Sequence, residues 1–120
     1  MTEKTHAVPN GVIHYWMNDF QPGRAVLVFL PGLTADHRLF DKQVEAFEST
    51  YNLLAWDAPG HGKSRPFVMD FTLAQKAAWL HAILQAEGIT APVLVGQSVG
   101  GCLSQAYIQL TPARCAACFY

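Results

Sequence analysis

One stretch constrains this chain more than any other: residues 92–101, which read PVLVGQSVGG. Val93, Leu94 and Val95 form a short apolar run of the kind that fills a strand buried on both faces. Gly96, Gln97, Ser98, Val99, Gly100 and Gly101 follow, and the residues from Cys102 to Leu110 carry no helix breaker and predict a helix. The order is strand, Gly-x-Ser-x-Gly, helix. A chain that passes from a buried strand into a helix through that pattern must turn sharply, with the serine at the apex.

The chemistry of a nucleophile asks for this arrangement. A serine hydroxyl can attack only if it stands clear of its surroundings, and a sharp strand-to-helix turn lifts it out. Such a turn holds the serine in a strained backbone conformation, at a cost of roughly 1–3 kcal/mol. Gly96 and Gly100 fall where a Cβ would collide with the neighbouring helix and strand, and Gly101 permits close packing too. The helix that follows aims the positive end of its dipole at the serine, and its first N–H groups lack partners. One of them, on Val99, is placed to donate to a developing oxyanion. The competing reading of the same residues is a glycine-rich βα turn carrying an inert serine. The strand and helix on either side favour the catalytic reading.

Composition narrows the class. The chain has 120 residues with a formal net charge of −1, 51% of them hydrophobic and 14% charged, as in an ordinary globular unit. No basic run is present, which argues against nucleic acid or an anionic membrane as main partner. No apolar run exceeds six residues, too few for a membrane span, and the first ten residues lack the apolar core of a secretory signal. Three cysteines fit a reducing compartment, so a cytoplasmic location is expected. Cys115 and Cys118 make a C-x-x-C, but the run CAACFY reads as strand, where residues three apart face opposite sides. A redox or metal role is therefore not assigned.

Along the chain, Asn10-Gly11 is a turn signal between a strand at His6–Val8 and one at Val12–Trp16. Gln21-Pro22-Gly23 is a second turn. Ala25 to Leu30 is a continuous apolar strand that runs into Pro31-Gly32-Leu33-Thr34. Asp41 is expected to cap a short helix reaching about Ser49, with Val44 and Phe47 on one face. Tyr51 to Trp56 is a buried strand ending in a tight loop, Asp57-Ala58-Pro59-Gly60-His61-Gly62. Thr72-x-x-Gln75 is a capping-box pattern that opens a helix with Leu73, Ala77, Leu80 and Leu84 on one side, stopped by Gly88. Pro112 ends the helix after Ser98, and Cys115 to Tyr120 begins another strand. The alternation predicts an α/β fold: a mostly parallel sheet with helices on both faces. Three glycine-bearing loops then gather at the carboxyl ends of its strands, where such sheets place their sites.

Taken together, these motifs resemble the α/β-hydrolase family over nearly the whole chain, from about Val12 to Tyr120. FLPGLTAD is similar to the loop that usually reads His-Gly after the third strand, DAPGHGKS to the family's Asp-x-x-Gly-His-Gly-x-Ser loop, and VGQSVGG to the nucleophile elbow. The resemblance implies Ser98 as nucleophile and an oxyanion hole from the backbone N–H groups of Leu33 and Val99. Pro31 stands where histidine is common, a departure that leaves a backbone donor intact. Asp57, Gly60, His61, Gly62 and Ser64 would shape a loop beside the pocket. His37, Phe40 and Gln97 are candidates to line it, with sealing the core the alternative for Phe40. A small-molecule substrate is implied, and no metal or cofactor.

The departure with most consequence follows Ser98. A triad needs a base to take the serine proton and an acid to orient that base, in the family order Ser, Asp or Glu, His. No Asp, Glu or His follows Ser98 in this chain; His6, His14, His37, His61 and His81 all precede it. His81 is expected to be a packing or surface residue. Residues 1–120 are therefore expected to be the N-terminal portion of a single α/β-hydrolase domain, with core motifs at 25–118, truncated after the elbow helix. Completing the sheet would take at least two more crossover units of roughly 30 residues each. On this reading the chain alone has negligible triad-type turnover, and its bare final strand favours self-association.

Two other readings compete. Gly62-Lys63-Ser64 looks like the end of a P-loop, but Asp57 stands where that pattern wants glycine, and Arg65-Pro66 follows where it wants a helix. The second is a pocket of the same fold that binds a small molecule without catalysis, favoured by the missing base and acid. A serine at the elbow points to acyl transfer to water from an ester, thioester or amide. Nothing in the motifs selects among those bonds.

Overall fold

A computed structural model of the chain describes residues 1–110 and the backbone of 117–119. Two antiparallel strands open it, β1 (Thr2–Val8) and β2 (Gly11–Met17). The Asn10-Gly11 turn pairs Val8 with Gly11 and Thr2 with Met17, so the first strand reaches further back than the sequence signal at His6–Val8. β3 (Val26–Leu30) follows, then a 3₁₀ turn (His37–Phe40), α1 (Asp41–Phe47), β4 (Asn52–Trp56), α2 (Leu73–Ala86), β5 (Val93–Gly96), α3 (Val99–Leu110) and β6 (Ala117–Phe119). The expected strand at Cys115–Tyr120 is described only over its Ala117–Phe119 backbone, and the Cys115–Cys118 pair lies outside the described side chains.

Among the described residues the sheet has six strands in the order β1-β2-β4-β3-β5-β6. β3, β4, β5 and β6 run parallel, with β3 between β4 and β5 in the centre. β2 joins the edge of β4 antiparallel, through Tyr15–Trp56 to Met17–Leu54. Every residue of β4 is buried: Leu53–Trp56 is apolar, as a strand covered on both faces requires, and the Asn52 amide is held by the Gln21 backbone.

Helices lie on both faces because each face carries its own apolar cluster. Val28, Leu30, Leu54, Trp56 and Leu94 pack with Ala77, Leu80, Leu84, Leu103 and Tyr107 of α2 and α3. Phe29, Leu53 and Ala55 point the other way, toward Phe40 and Val44. This second face is only partly covered. A groove of about 500 Å³ opens on it between Leu27, Phe29, Val93 and Val95 of the sheet and Phe47 and Tyr51 beside α1.

Local signals placed the helices with three corrections. The capping box forms as written: Thr72 Oγ1 accepts from the Gln75 N–H at 3.1 Å, and Gln75 Oε1 from the Thr72 N–H at 2.7 Å. Leu73, however, is 44% exposed, so the buried stripe of α2 begins only at Lys76 and Ala77. Asp41 does not cap α1; it is the helix's first residue. The capping carboxylate is Asp36, whose oxygen accepts from the Arg38 N–H at 2.9 Å and starts the 3₁₀ turn one step earlier. α3 likewise begins at Val99 rather than Cys102, directly after Ser98.

Far from the elbow, a small polar cluster ties the edge hairpin to the end of α2. Glu87 accepts from the Tyr15 hydroxyl at 2.5 Å, and Lys4 Nζ reaches both of its oxygens at 2.9 Å. Burial pushes the Glu87 carboxyl up, but the Tyr15 and Lys4 hydrogen bonds outweigh it and hold it below the ordinary carboxylate range. Burial, and then Glu87, push the Tyr15 phenol up.

Candidate active site at the carboxyl edge of the sheet

β5 ends at Gly96, and the chain reverses into α3 within two residues. Ser98 takes φ 57°, the left-handed region that side chains other than glycine rarely occupy. This is the strain expected of a serine held at the apex of a sharp turn. The reason the turn closes so tightly is written in its glycines. A Cβ at Gly96 would stand 2.4 Å from the Gly100 carbonyl, and a Cβ at Gly100 would stand 2.0 Å from the Leu30 carbonyl oxygen. Helix, turn and central strand touch backbone to backbone. Ser98 is exposed at the apex, and its carbonyl accepts from the Gly101 N–H at 2.8 Å to begin the helix. Val99 is the first residue of α3, so its N–H has no carbonyl one turn back to serve as partner.

The loop after β3 lies against this turn. A Cβ at Gly32 would stand 3.1 Å from Ser98 Cβ and 2.2 Å from Gln97 Oε1. The Gly32 N–H donates to Gln97 Oε1 at 3.0 Å, and the Gly32 carbonyl accepts from the Ala35 N–H at 3.2 Å. Thr34 takes φ 62° to make that turn. Leu33 sits between these contacts and is 65% exposed.

The third loop is built on Asp57, which is fully buried. One carboxylate oxygen accepts from the His37 N–H at 2.7 Å and lies 2.8 Å from His37 Nδ1; the other accepts from the Lys63 N–H at 2.8 Å. Gly62, at φ 50°, passes so close that a Cβ would stand 2.3 Å from Asp57 Oδ2. Ser64 is buried: its hydroxyl donates to the Asp57 carbonyl at 2.6 Å and accepts from the His14 N–H at 2.9 Å. Gly60 donates its N–H to the Ser64 carbonyl at 3.0 Å, and His61 Nδ1 sits 3.2 Å from the Pro59 carbonyl.

The structure thus brings Gly32, Gln97 and Ser98 together, and separately His37 with Asp57. His37 stacks on Trp16 with ring centroids 3.5 Å apart and its Nδ1 directed at Asp57. Phe40 is in the core, stacked on Phe29 at 4.8 Å, rather than at a pocket wall. His81 packs its ring edge against Tyr107 between α2 and α3. Sequence reasoning missed the Trp16–His37–Asp57 stack and the Gln97–Gly32 bond. No motif spacing links Trp16 to His37, or Gln97 to Gly32 across 65 residues. Asp36, His37 and Asp57 bring potential ligand atoms within 4.8 Å of one another. Arg38 engages Asp36 and the His37 ring engages Asp57, so hydrogen bonds within the protein account for the cluster.

The family model for the alpha/beta hydrolase fold matches residues 25–119. The chain belongs to that family. Among its relatives, the dihydrolipoyllysine-residue acetyltransferase component of the acetoin cleaving system of Cupriavidus necator is 33% identical over 79 residues, 66% of this chain and 21% of that protein. The magnesium-chelatase 30 kDa subunit of Rhodobacter capsulatus is 32% identical over 96 residues, 78% of this chain and 34% of that protein. The naproxen esterase of Bacillus subtilis superposes with a TM-score of 0.85 at 22% identity, over 98% of this chain and 41% of that one. The chain therefore spans only a minor part of the relatives it matches. No helix among the described residues is long and apolar enough to cross a membrane.

Proposed function

We propose that the protein that carries this chain is a serine hydrolase acting on ester, thioester or amide bonds of a small-molecule substrate through an acyl-enzyme at Ser98. The observation that carries this reading is Ser98 itself: exposed, at φ 57°, on a turn closed by Gly96 and Gly100, with the Gly32 loop against its Cβ. In the first step the Ser98 hydroxyl oxygen bonds to the substrate carbonyl carbon. The bond to the alcohol, thiol or amine then breaks, and the serine's proton leaves with that group. In the second step water attacks the acyl ester, releasing the acid and restoring the hydroxyl. The Leu33 and Val99 N–H groups stabilise the oxyanion of both tetrahedral intermediates. Asp57, Gly60, His61, Gly62 and Ser64 hold the neighbouring loop. No Asp, Glu or His follows Ser98 within residues 1–120, so these residues alone are not expected to run a Ser–His–Asp cycle. The three cysteines, with Cys102 free and exposed, support a reducing, cytoplasmic setting.

A second reading is a non-catalytic binding protein of the same fold, in which the tight turn holds an inert serine. One experiment separates the two. The whole gene product is treated with a fluorophosphonate and assayed on p-nitrophenyl esters, beside Ser98→Ala. Labelling at Ser98 and turnover lost in the variant support the hydrolase; an unlabelled serine and no turnover support the binding protein.

A further inference from the structure

We infer that Gln97 is a positioning residue that sets the orientation of the oxyanion loop, an inference that rests on the hydrolase reading of Ser98. Two hydrogen bonds fix the peptide planes on either side of Gly32. Its N–H is held by Gln97 Oε1 at 3.0 Å, and its carbonyl by the Ala35 N–H at 3.2 Å. The Gly32–Leu33 peptide is planar and trans, so a carbonyl turned toward Ala35 turns the Leu33 N–H to the opposite side, out of the Gly32–Ala35 turn. That N–H is the proposed oxyanion donor. An oxyanion donor is effective when it is oriented before the charge develops, so whatever fixes this peptide sets the strength of the hole.

Gln97 fixes the preceding peptide through the Gly32 N–H, and so anchors the residue from which the Gly32–Leu33 peptide turns; it suits that task for three reasons. It is the residue immediately before Ser98, so donor loop and nucleophile share one anchor. Its backbone is itself fixed, since the Gln97 N–H donates to the Leu30 carbonyl at 3.1 Å and its carbonyl accepts from the Gly100 N–H at 3.0 Å. The fit around its amide is close: the space where a Gly32 side chain would begin is taken by Gln97 Oε1 and the Gln97 carbonyl oxygen, at 2.2 and 2.7 Å. The far end of the loop is pinned independently, by the His37 N–H and ring on Asp57. Without Gln97 the Gly32 end of the segment loses its fixed point, and Leu33 and Thr34 between the anchors are both exposed.

The test uses the whole gene product, labelled with [15N]glycine, as wild type, Gln97→Met and Gln97→Glu. Methionine matches the length of glutamine but cannot hold the Gly32 N–H; glutamate keeps an acceptor oxygen. In Gln97→Met the Gly32 amide is expected to exchange with solvent at least about tenfold faster, with other glycine amides unchanged. On a p-nitrophenyl ester kcat falls about tenfold or more while KM stays within about twofold, the pattern of an interaction made in the transition state. Gln97→Glu keeps the Gly32 amide protected. Unchanged Gly32 exchange in Gln97→Met overturns the inference, and so does a rise in KM at constant kcat, which would make Gln97 a substrate contact. Faster Gly32 exchange in Gln97→Met, in a protein whose wild type has no Ser98-dependent turnover, supports the anchor and overturns the hydrolase reading instead.

Discussion

His37 and Asp57 meet at 2.8 Å, ring nitrogen to a carboxylate that is wholly withdrawn from solvent. They stand 20 residues apart, and the contact joins the loop after β3 to the loop after β4. Asp57 accepts from three donors in these two loops, so it acts as the knot between them.

Asp57→Asn keeps the size of that knot but halves its acceptors. One of the contacts to His37 and Lys63 must be lost, and an amide N–H₂ is pointed at a donor in a buried site. The expected cost is about 2–3 kcal/mol of folding stability, from a charge-assisted bond removed and a buried group left unpaired. Urea unfolding measures it, and a loss below about 0.5 kcal/mol would mean that the carboxylate does not hold the loops together.

Ser98 pays for its position in backbone strain. In Ser98→Gly the left-handed conformation is released, whereas Ser98→Ala keeps it. The glycine variant is expected to be about 1 kcal/mol more stable than the alanine variant, with both unreactive toward fluorophosphonate. Thermal melts of the pair decide it; equal midpoints would place the strain elsewhere.

Glu87 makes stability depend on acid. Its folded pKa lies below the ordinary value of 4.5, held there by Tyr15 and Lys4 against the effect of burial. Between the folded and unfolded values the unfolded chain binds more protons, so stability rises with pH. The contribution is complete above the unfolded pKa and is lost as pH falls through the folded one. Glu87→Gln is therefore expected to flatten the decline in urea midpoint below about pH 4.5 and to lower the midpoint near pH 7. An unaltered acid profile would show that the hairpin-to-α2 cluster is not coupled to folding.

The groove under α1 leaves Leu27, Phe29, Val93, Val95 and Phe47 facing a space of about 500 Å³. Residues 1–120 produced alone are expected to self-associate through this face and the β6 edge. Phe47, 39% exposed, lies at its rim, and Phe47→Lys is expected to shift the species seen by light scattering toward monomer. A wild-type chain that stays monomeric at high micromolar concentration would contradict this.

Much of the architecture was legible beforehand because it rests on local rules. The runs at Ala25–Leu30, Tyr51–Trp56 and Val93–Val95 predict buried strands, each within a residue of those found, Thr72 and Gln75 predict the start of α2, and the glycines around Ser98 predict a sharp turn. The errors were local competitions. Asp41 does not cap α1, because the chain enters that helix from a 3₁₀ turn already capped by Asp36, which holds the Arg38 N–H and guanidinium. Phe40 was no error: pocket wall and core were both open to it, and Phe29 offers it a stacking partner in the core.

The sequence by itself determined the strand–turn–helix unit, the serine at its apex and the alternation that builds a parallel sheet, since each depends on residues within a few positions of one another. Only the tertiary structure decided which loops meet. That Gly32 leans on Gln97, and that His37 lies between Trp16 and Asp57, follows from β3 pairing with β5 on one side and β4 on the other. Sheet pairing brings together residues that are tens of positions apart in the chain, and no local propensity encodes the contacts made there.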